Sequence, residues 1–553
     1  MTSATRSEKD PLGPLDVPAE AYYGVQTQRA LENFPISGLK PLKEFVRAVV
    51  WIKKAAALTH KETGRLDPRL ADAIVAAADE VLAGKYDDQV VVDVYPAGAG
   101  TSHNMNCNEV LANRANELLG AKRGEYKPVH PNDHVNMAQS TNDVIPTAIR
   151  LGALDLLSTL ETAFGGLRDA LAGKGTEFDD VVKAGRTHLQ DAMPIRLGQE
   201  FTAYADTIGR NLVRIRQTAD FLRDLGIGGS AVGTGVNVEP EYPALMNTYL
   251  QSITGLDLRV GKNRIQLMQS MGDAAAFSAA VRVLALDLSK IANDLRLLVS
   301  GPRTGLDEIV LPAVQPGSSI MPGKINPSVA EMVNQVCFQV IGNDACVAAA
   351  AEHGQLELNV MMPVIAHNVM FSMIILSNAA GVLNERCVAG ISEIALPAVQ
   401  PGSSIMPGKV NPSVPEMVNQ VCFQVIGCDT TICVAAEAGQ LELNVMMPVI
   451  AWNALHAATI LRESMKVLRA RCVDGITSND ARARELLERS TAAATALSPY
   501  LGYAKTAEIA KEAVATGRSI REIVLEQRLF DADRLDAILS VDAMTRGGIV
   551  GEK

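Results

Sequence analysis

Aromatic side chains are scarce: Phe, Tyr and Trp make up 4% of the 553 residues, although 48% are hydrophobic. The apolar content comes instead from Ala, Leu, Val, Ile and Met, which favours packed helices over β-sandwiches rich in aromatic and β-branched residues. Basic charge is short as well, with 51 Lys and Arg against 62 Asp and Glu and a net charge of −11. Phosphate backbones are bound by clustered Lys and Arg, so nucleic acid is not an expected partner. The eight cysteines contain no C-x-x-C pair, and Cys337, Cys387, Cys422 and Cys472 sit in apolar helical pattern. They read as reduced, buried thiols. The most membrane-like stretch, 360–376, is interrupted by Pro363, His367 and Asn368. It falls short of the roughly 20 apolar residues a span needs, so no membrane partner is expected. The first ten residues are polar and lack the apolar core of a secretory leader, so the expected location is cytoplasmic.

What the chain does have is helical periodicity. Segments 147–173, 196–225 and 263–300 carry apolar residues at i, i+3, i+4 and i+7. The third holds no proline and predicts one helix approaching about 57 Å, at about 1.5 Å per residue. Helices that long need neighbours of equal length. The expected fold class is therefore mainly α: a long-helix bundle whose apolar faces are completed by other subunits. Length alone suggests three or four domains. The pattern divides the chain into an N-terminal domain over 1–142, a central bundle over 143–478 and a C-terminal domain over 479–553.

Within the bundle segment, residues 305–389 and 390–474 align without a gap at an offset of 85, with about 58 of 85 positions identical. Both copies contain PAVQPGSSIMPGK, NPSV, EMVNQVCFQVIG, GQLELNVMMPVIA and RCV. Two copies are too few for a solenoid, so this reads as one local tandem duplication. Each unit predicts a loop and two helices broken near Gly354 or Gly439. Differences gather in the second helix, 367–385 against 452–470. A helical hairpin starts and ends at the same end of a bundle, so an extra one can be inserted without parting its flanks.

Four polar segments place small hydroxyl and amide residues beside glycines: 98–109 (GAGTSHNMNCNE), 130–143 (HPNDHVNMAQSTND), 185–194 (GRTHLQDAMP) and 317–327, repeated at 402–412. Each alone is consistent with an ordinary capped turn. Four together, each opening onto a long helix, offer dense hydrogen-bond donors suited to a small polyanion. GSSIMPGK is not a phosphate-binding P-loop, because five residues separate Gly317 from Gly323 and Ile325 follows Lys324. GIGGSA at 226–231 follows a helical segment rather than a strand, which excludes a dinucleotide fingerprint. His130 and His134 flank Pro131 and Asn132, which disfavours zinc-binding helical geometry. No metal and no organic cofactor is expected.

The ordered set of motifs resembles the aspartase/fumarase superfamily over nearly the whole chain, with GSSIMPGK-x-NP as its signature. AYYGVQTQRALENF (21–34), GAGTS (98–102), STND (140–143), QLELNVMMPVI (355–365) and NPSVPEMVNQV (411–421) look like the aspartase branch. So does the run at 502–526. Fumarases tend to carry SGTQSNMN and SSND at the corresponding loops. The resemblance implies a lyase, active as a homotetramer with sites shared among three subunits, that eliminates ammonia from L-aspartate to give fumarate. The hard step is removing a proton beside the β-carboxylate, so the developing aci-carboxylate must meet preorganised donors. By family match, Thr101, Ser140, Thr141, Lys324 and Asn326, with the 317–323 backbone that includes Ser319, form that cradle. Thr187, His188 and Asn142 hold the α-carboxylate and amino end. Ser318 is the base, activated by backbone N–H groups and Lys324. His188 reads as a carboxylate donor, with a role as base partner left open. Glu331 either orients that histidine or closes a capping box with Ser328. His130, Asn132 and Asp133 resemble the secondary anion site of fumarases.

The duplication supplies a second set, Ser403, Lys409 and Asn411, intact at every named position. The first copy keeps the familiar tether to the preceding long helix and is favoured as the working one. A fumarate hydratase, and a non-catalytic assembly variant remodelled by the extra hairpin, remain alternatives.

Overall fold

The computed structural model describes residues 4–96, 98–187, 190–300, 306, 308–312, 314–315 and 326–388. It also describes a helix over Met447–Arg471, positions 429, 432, 433 and 436, and residues 492–516, 518–540, 543–544 and 549–551.

The chain opens with an antiparallel hairpin, β1 (Thr5–Asp10) and β2 (Gly13–Pro18), then α1 (Val25–Asn33), α2 (Lys43–Glu62), α3 (Pro68–Leu82) and α4 (Thr101–Leu118). The long α5 (Thr141–Glu177) leads to a second antiparallel hairpin, β3 (Val182–Thr187) and β4 (Gln190–Arg196), and to α6 (Leu197–Ala219). A two-residue parallel pair, β5 (Asp224–Leu225) with β6 (Arg259–Val260), brackets α7 (Tyr242–Thr254). There follow α8 (Arg264–Gln269), α9 (Gly272–Leu298), α10 (Ser328–Glu352) and α11 (Met362–Arg386). Last come α12 (Met447–Arg471), α13 (Ser498–Thr516), α14 (Ile520–Glu526) and α15 (Ala532–Ile538).

The mainly α expectation holds. α5 packs on α6 and α11, α6 on α9, and α10 on both α9 and α11. One apolar core runs without a break from Phe45 to Val388, filled mostly by Ala, Leu, Val, Ile and Met. A separate small core joins α13, α14 and α15. α11 is long and apolar enough to cross a membrane, yet most of that stretch is buried between α5 and α10.

Three expectations about element bounds need correction. α5 starts at Thr141, not 147, because Ser140 and Asp143 form a reciprocal capping box that outweighs Pro146 inside the helix. The 263–300 pattern is two helices. Ser270 takes an extended conformation and ends α8, leaving α9 with 27 residues, about 40 Å rather than 57. α6 stops at Ala219, where a 3₁₀ turn, Asp220–Arg223, takes over. The anticipated break at Gly354 is present, as an irregular turn between α10 and α11.

Candidate active site

The segment GAGTS is bent by three successive left-handed residues, Gly98, Ala99 and Gly100. A side chain at Gly100 would lie 3.0 Å from Ile145 Cγ1 and 3.4 Å from Pro363 Cγ, so the turn is wedged against both α5 and α11. Thr101 then starts α4, and its exposed hydroxyl donates to the Gly98 carbonyl at 2.7 Å. The second polar segment forms a π-turn over Pro131–Val135 capped by His130, whose Nδ1 accepts from the Asn132 and Asp133 N–H groups.

That segment delivers Ser140, Thr141 and Asn142 to the N-terminus of α5. Ser140 Oγ accepts the Asn142 N–H at 3.2 Å, and the Asn142 amide donates to the Ala231 carbonyl at 2.8 Å. Asp143, the acid that follows Asn142, faces away from the opening. It is buried and accepts from the Gly228 and Ser230 N–H groups at 3.0 and 2.9 Å. Burial pushes its pKa up to about 6. The exposed end of the helix is thus left with hydroxyls, amides and the positive pole of the helix dipole, an arrangement that attracts an anion. Ser140 lines a cleft of about 680 Å³ together with Asn136, Gln139, Ser230, Asn237 and Thr506. Asn237, in left-handed backbone, donates to the Thr495 carbonyl at 2.8 Å and ties this cleft to the C-terminal helices.

Beneath it lies a buried polar cluster that sequence reading missed. The Lys53 ammonium of α2 is fully buried and donates to Asn136 Oδ1 and Gln139 Oε1, both at 2.9 Å. Burial lowers its pKa to about 7. Asn136 Oδ1 also accepts from Asn104 (3.1 Å) and Asn108 (3.2 Å), and Asn104 reaches Thr141 Oγ1 at 3.3 Å. The only signal was indirect: Asn104, Asn108, Asn136 and Gln139 all lie in the two segments rich in amides. Lys53 sits in an apolar helical run with nothing nearby in sequence to mark it.

The third segment ends β3 at Thr187, whose partner in the ladder is Gln190. His188 lies outside the described residues, as do Ser318, Ser319, Lys324, Ser403, Lys409 and Asn411. Asn326 is described: its carbonyl accepts the Ser328 N–H at 2.8 Å, at the foot of α10. Arg186, next to Thr187, pairs with Glu308, and Lys183 pairs with Glu308 at 3.2 Å and with Glu200 at 2.9 Å. These pairs pin the hairpin carrying Thr187 to the strand of chain that precedes the signature loop. The capping box expected at Ser328 and Glu331 does not form. The N-cap is Pro327, which has no side-chain donor or acceptor, and Ser328 Oγ is buried without a partner among the described residues.

At the other end of the N-terminal segment, Glu109 is buried and accepts from the Gly24, Gln26 and Thr27 N–H groups and from Thr27 Oγ1. Burial raises its pKa to about 7. A side chain at Gly24 would collide with Tyr126 and Glu8, which explains the glycine in AYYGVQTQ.

Among the described residues, the bundle thus presents uncharged hydroxyl and amide groups at the head of α5. The sequence matches the family described as Lyase over 13–342 and 352–427, and the Fumarase C C-terminus family over 494–546. Aspartate ammonia-lyase of Bacillus subtilis (strain 168) is 41% identical over 548 residues, covering 99% of this chain and 98% of its own. Fumarate hydratase class II of Halobacterium salinarum is 42% identical over 551 residues, covering 100% and 99%. Among solved structures, a fumarate lyase:delta crystallin from Brucella melitensis bound to cobalt superposes with TM-score 0.68 at 41% identity over 98% and 99% of the chains. A class II fumarase from Schistosoma mansoni gives 0.69 at 30% identity over 97% and 98%. The chain belongs to the aspartase/fumarase superfamily and is a lyase.

Proposed function

We propose that the protein is an aspartate ammonia-lyase that reversibly eliminates ammonia from L-aspartate to give fumarate. The observation that carries this reading is the head of α5. There Ser140, Thr141 and Asn142 place neutral hydroxyl and amide groups at the N-terminus of the helix, while Asp143 is turned inward onto Gly228 and Ser230. The full-length identity of 41% to aspartate ammonia-lyases supports it.

In this reading Ser318 takes the proton from the carbon beside the β-carboxylate, and the electron pair moves into that carboxylate as a doubly charged aci form. Thr101, Ser140, Thr141, Lys324 and Asn326 stabilise it with donors fixed before the reaction. The pair then returns to form the double bond as the carbon–nitrogen bond breaks, and the amine, already protonated, leaves as ammonia. Thr187, His188 and Asn142 hold the α-carboxylate and amino end. A chain of neutral donors suits this chemistry, because the departing group needs no strong general acid. The enzyme works as a cytoplasmic homotetramer without a cofactor, with the duplicated 305–389 and 390–474 segments supplying two candidate signature loops.

The fumarate hydratase relative favours a second reading, hydration of fumarate to malate. Following fumarate absorbance with aspartate and then malate decides between them. Turnover of aspartate with loss in Ser318→Ala is expected. Turnover of malate alone would reject the ammonia-lyase, and turnover of neither would favour the assembly variant.

A further inference from the structure

The second helices of the two repeats differ at seven of the 14 positions the first one buries. In α11, Val369, Ser372, Met373, Ser377 and Ala380 all face the core. Eighty-five residues on, α12 carries Ala454, Ala457, Ala458, Arg462 and Met465. Ser377 and Ala380 are 6% and 0% exposed, so the slot has room for a hydroxymethyl and a methyl group. Arg462 in the first place takes a guanidinium out of water, and Met465 in the second overfills a packed core. Ala454 and Ala458 in place of Val369 and Met373 leave voids. α10 and α11 also share a buried pair, Asn343 donating to Ser372 Oγ at 3.0 Å, whose counterparts are Cys428 and Ala457. α12 instead leaves Trp452 and Leu455 59% and 70% exposed.

The first helices of the repeats have diverged less. Asp344 and its equivalent Asp429 both reach the same guanidinium, Arg282 of α9, at 2.9 Å and at 2.5 and 2.9 Å. Asp429 of the second repeat thus meets α9 as Asp344 does, while the second helix of that repeat carries Arg462 and Met465 where the core slot holds Ser377 and Ala380.

We infer that the two repeats are not interchangeable: the first alone builds the α10–α11 hairpin of the core. Asn326 at the foot of α10, rather than Asn411, is accordingly the copy delivered to the site. The statement about the hairpin stands on packing, and the statement about Asn326 rests on the proposed elimination.

The test uses the full-length protein. Ser377→Arg/Ala380→Met writes the second repeat's residues into α11 and lowers the melting temperature by on the order of 5–10 °C. Arg462→Ser/Met465→Ala shifts it by less than about 2 °C. The variant combining all four melts like the first pair, because α12 still lacks the side chains that fill the slot. A neutral first pair, or recovery to wild-type melting in the fourfold variant, would overturn the inference. Should the first pair fail to fold, Met373→Ala serves in its place: it melts lower if α11 fills the core and unchanged if it does not. Asn326→Ala loses at least about 100-fold in aspartate turnover, equivalent to about 2.7 kcal/mol. Full turnover there overturns the assignment of Asn326. A wild type inactive on aspartate would sink the elimination reading while leaving the melting results to decide the hairpin.

Discussion

Two nearly buried lysines are held in opposite ways. Lys53 is caged by neutral amide oxygens of Asn136 and Gln139, whereas Lys183 is met by the carboxylates of Glu200 and Glu308. The second group extends further, since Glu200 lies 3.2 Å from the Tyr204 hydroxyl, which donates to Asp294 at 2.6 Å. The contrast teaches what each cation is for. Amides solvate a charge without neutralising it, so burial dominates at Lys53 and its proton is held loosely. A lysine between two acids is a clamp, and it fastens β3 to α6 and to the segment before the signature loop.

The clamp should be the costlier to break. Lys183→Met leaves Glu200 and Glu308 without their shared cation, and a loss of about 3–5 kcal/mol in unfolding free energy is expected from denaturant melts. Lys53→Met strands one amide oxygen, Gln139 Oε1, since Asn136 Oδ1 keeps Asn104 and Asn108, and it removes a poorly solvated charge, so about 1–3 kcal/mol is expected. Because Asn136 and Gln139 lead directly into Ser140–Asn142, the same variant should lose aspartate turnover out of proportion to its stability. Retained turnover would show that the cage does not position the loop.

The pH dependence separates the two lysines further. At Lys53 the folded-state pKa of about 7 lies below the ordinary 10.5. Between those values the unfolded chain binds more protons, so this residue makes the wild type more stable as pH rises. Lys53→Met lacks that slope. The gap between its denaturant midpoint and that of the wild type should therefore widen from about pH 7 to about pH 10. A constant gap would mean the lysine is charged throughout.

Glu308→Gln is gentler, because an amide still accepts from Lys183 and Arg186; about 1 kcal/mol is expected, with a larger rise in KM than fall in kcat if the clamp positions Thr187. The smallest effect should be that of salt. With a Debye length of about 3 Å at 1 M, salt screens the partly exposed Glu308 and leaves the sealed Lys53 cage untouched. Melting of Lys53→Met relative to wild type should then be unchanged by added salt.

Much of this was legible in the chain. The scarcity of aromatic residues and the i, i+3, i+4 pattern pointed to long packed helices, and the amide-rich segments pointed to the loops around Thr101 and Ser140. Two kinds of information were not. Helix bounds depended on single residues: the capping box at Ser140 carried α5 past Pro146, and extended Ser270 split the third helix. Lys53 was invisible because a lysine in an apolar run usually extends its amine to water. Only the approach of Asn136 and Gln139, 83 and 86 residues away, makes its burial tolerable.

The sequence by itself determined the family, the residue types of the polar loops and the two segments that share about 58 of 85 positions, because those are matters of residue type and spacing. The tertiary structure decided which of two similar helices lies in the core, which way Asp143 faces and which lysine is clamped. Those outcomes depend on volume and on desolvation. Ser377 and Arg462 occupy the same place in the repeat, and only the neighbours of α11 show that the slot has no room for the guanidinium.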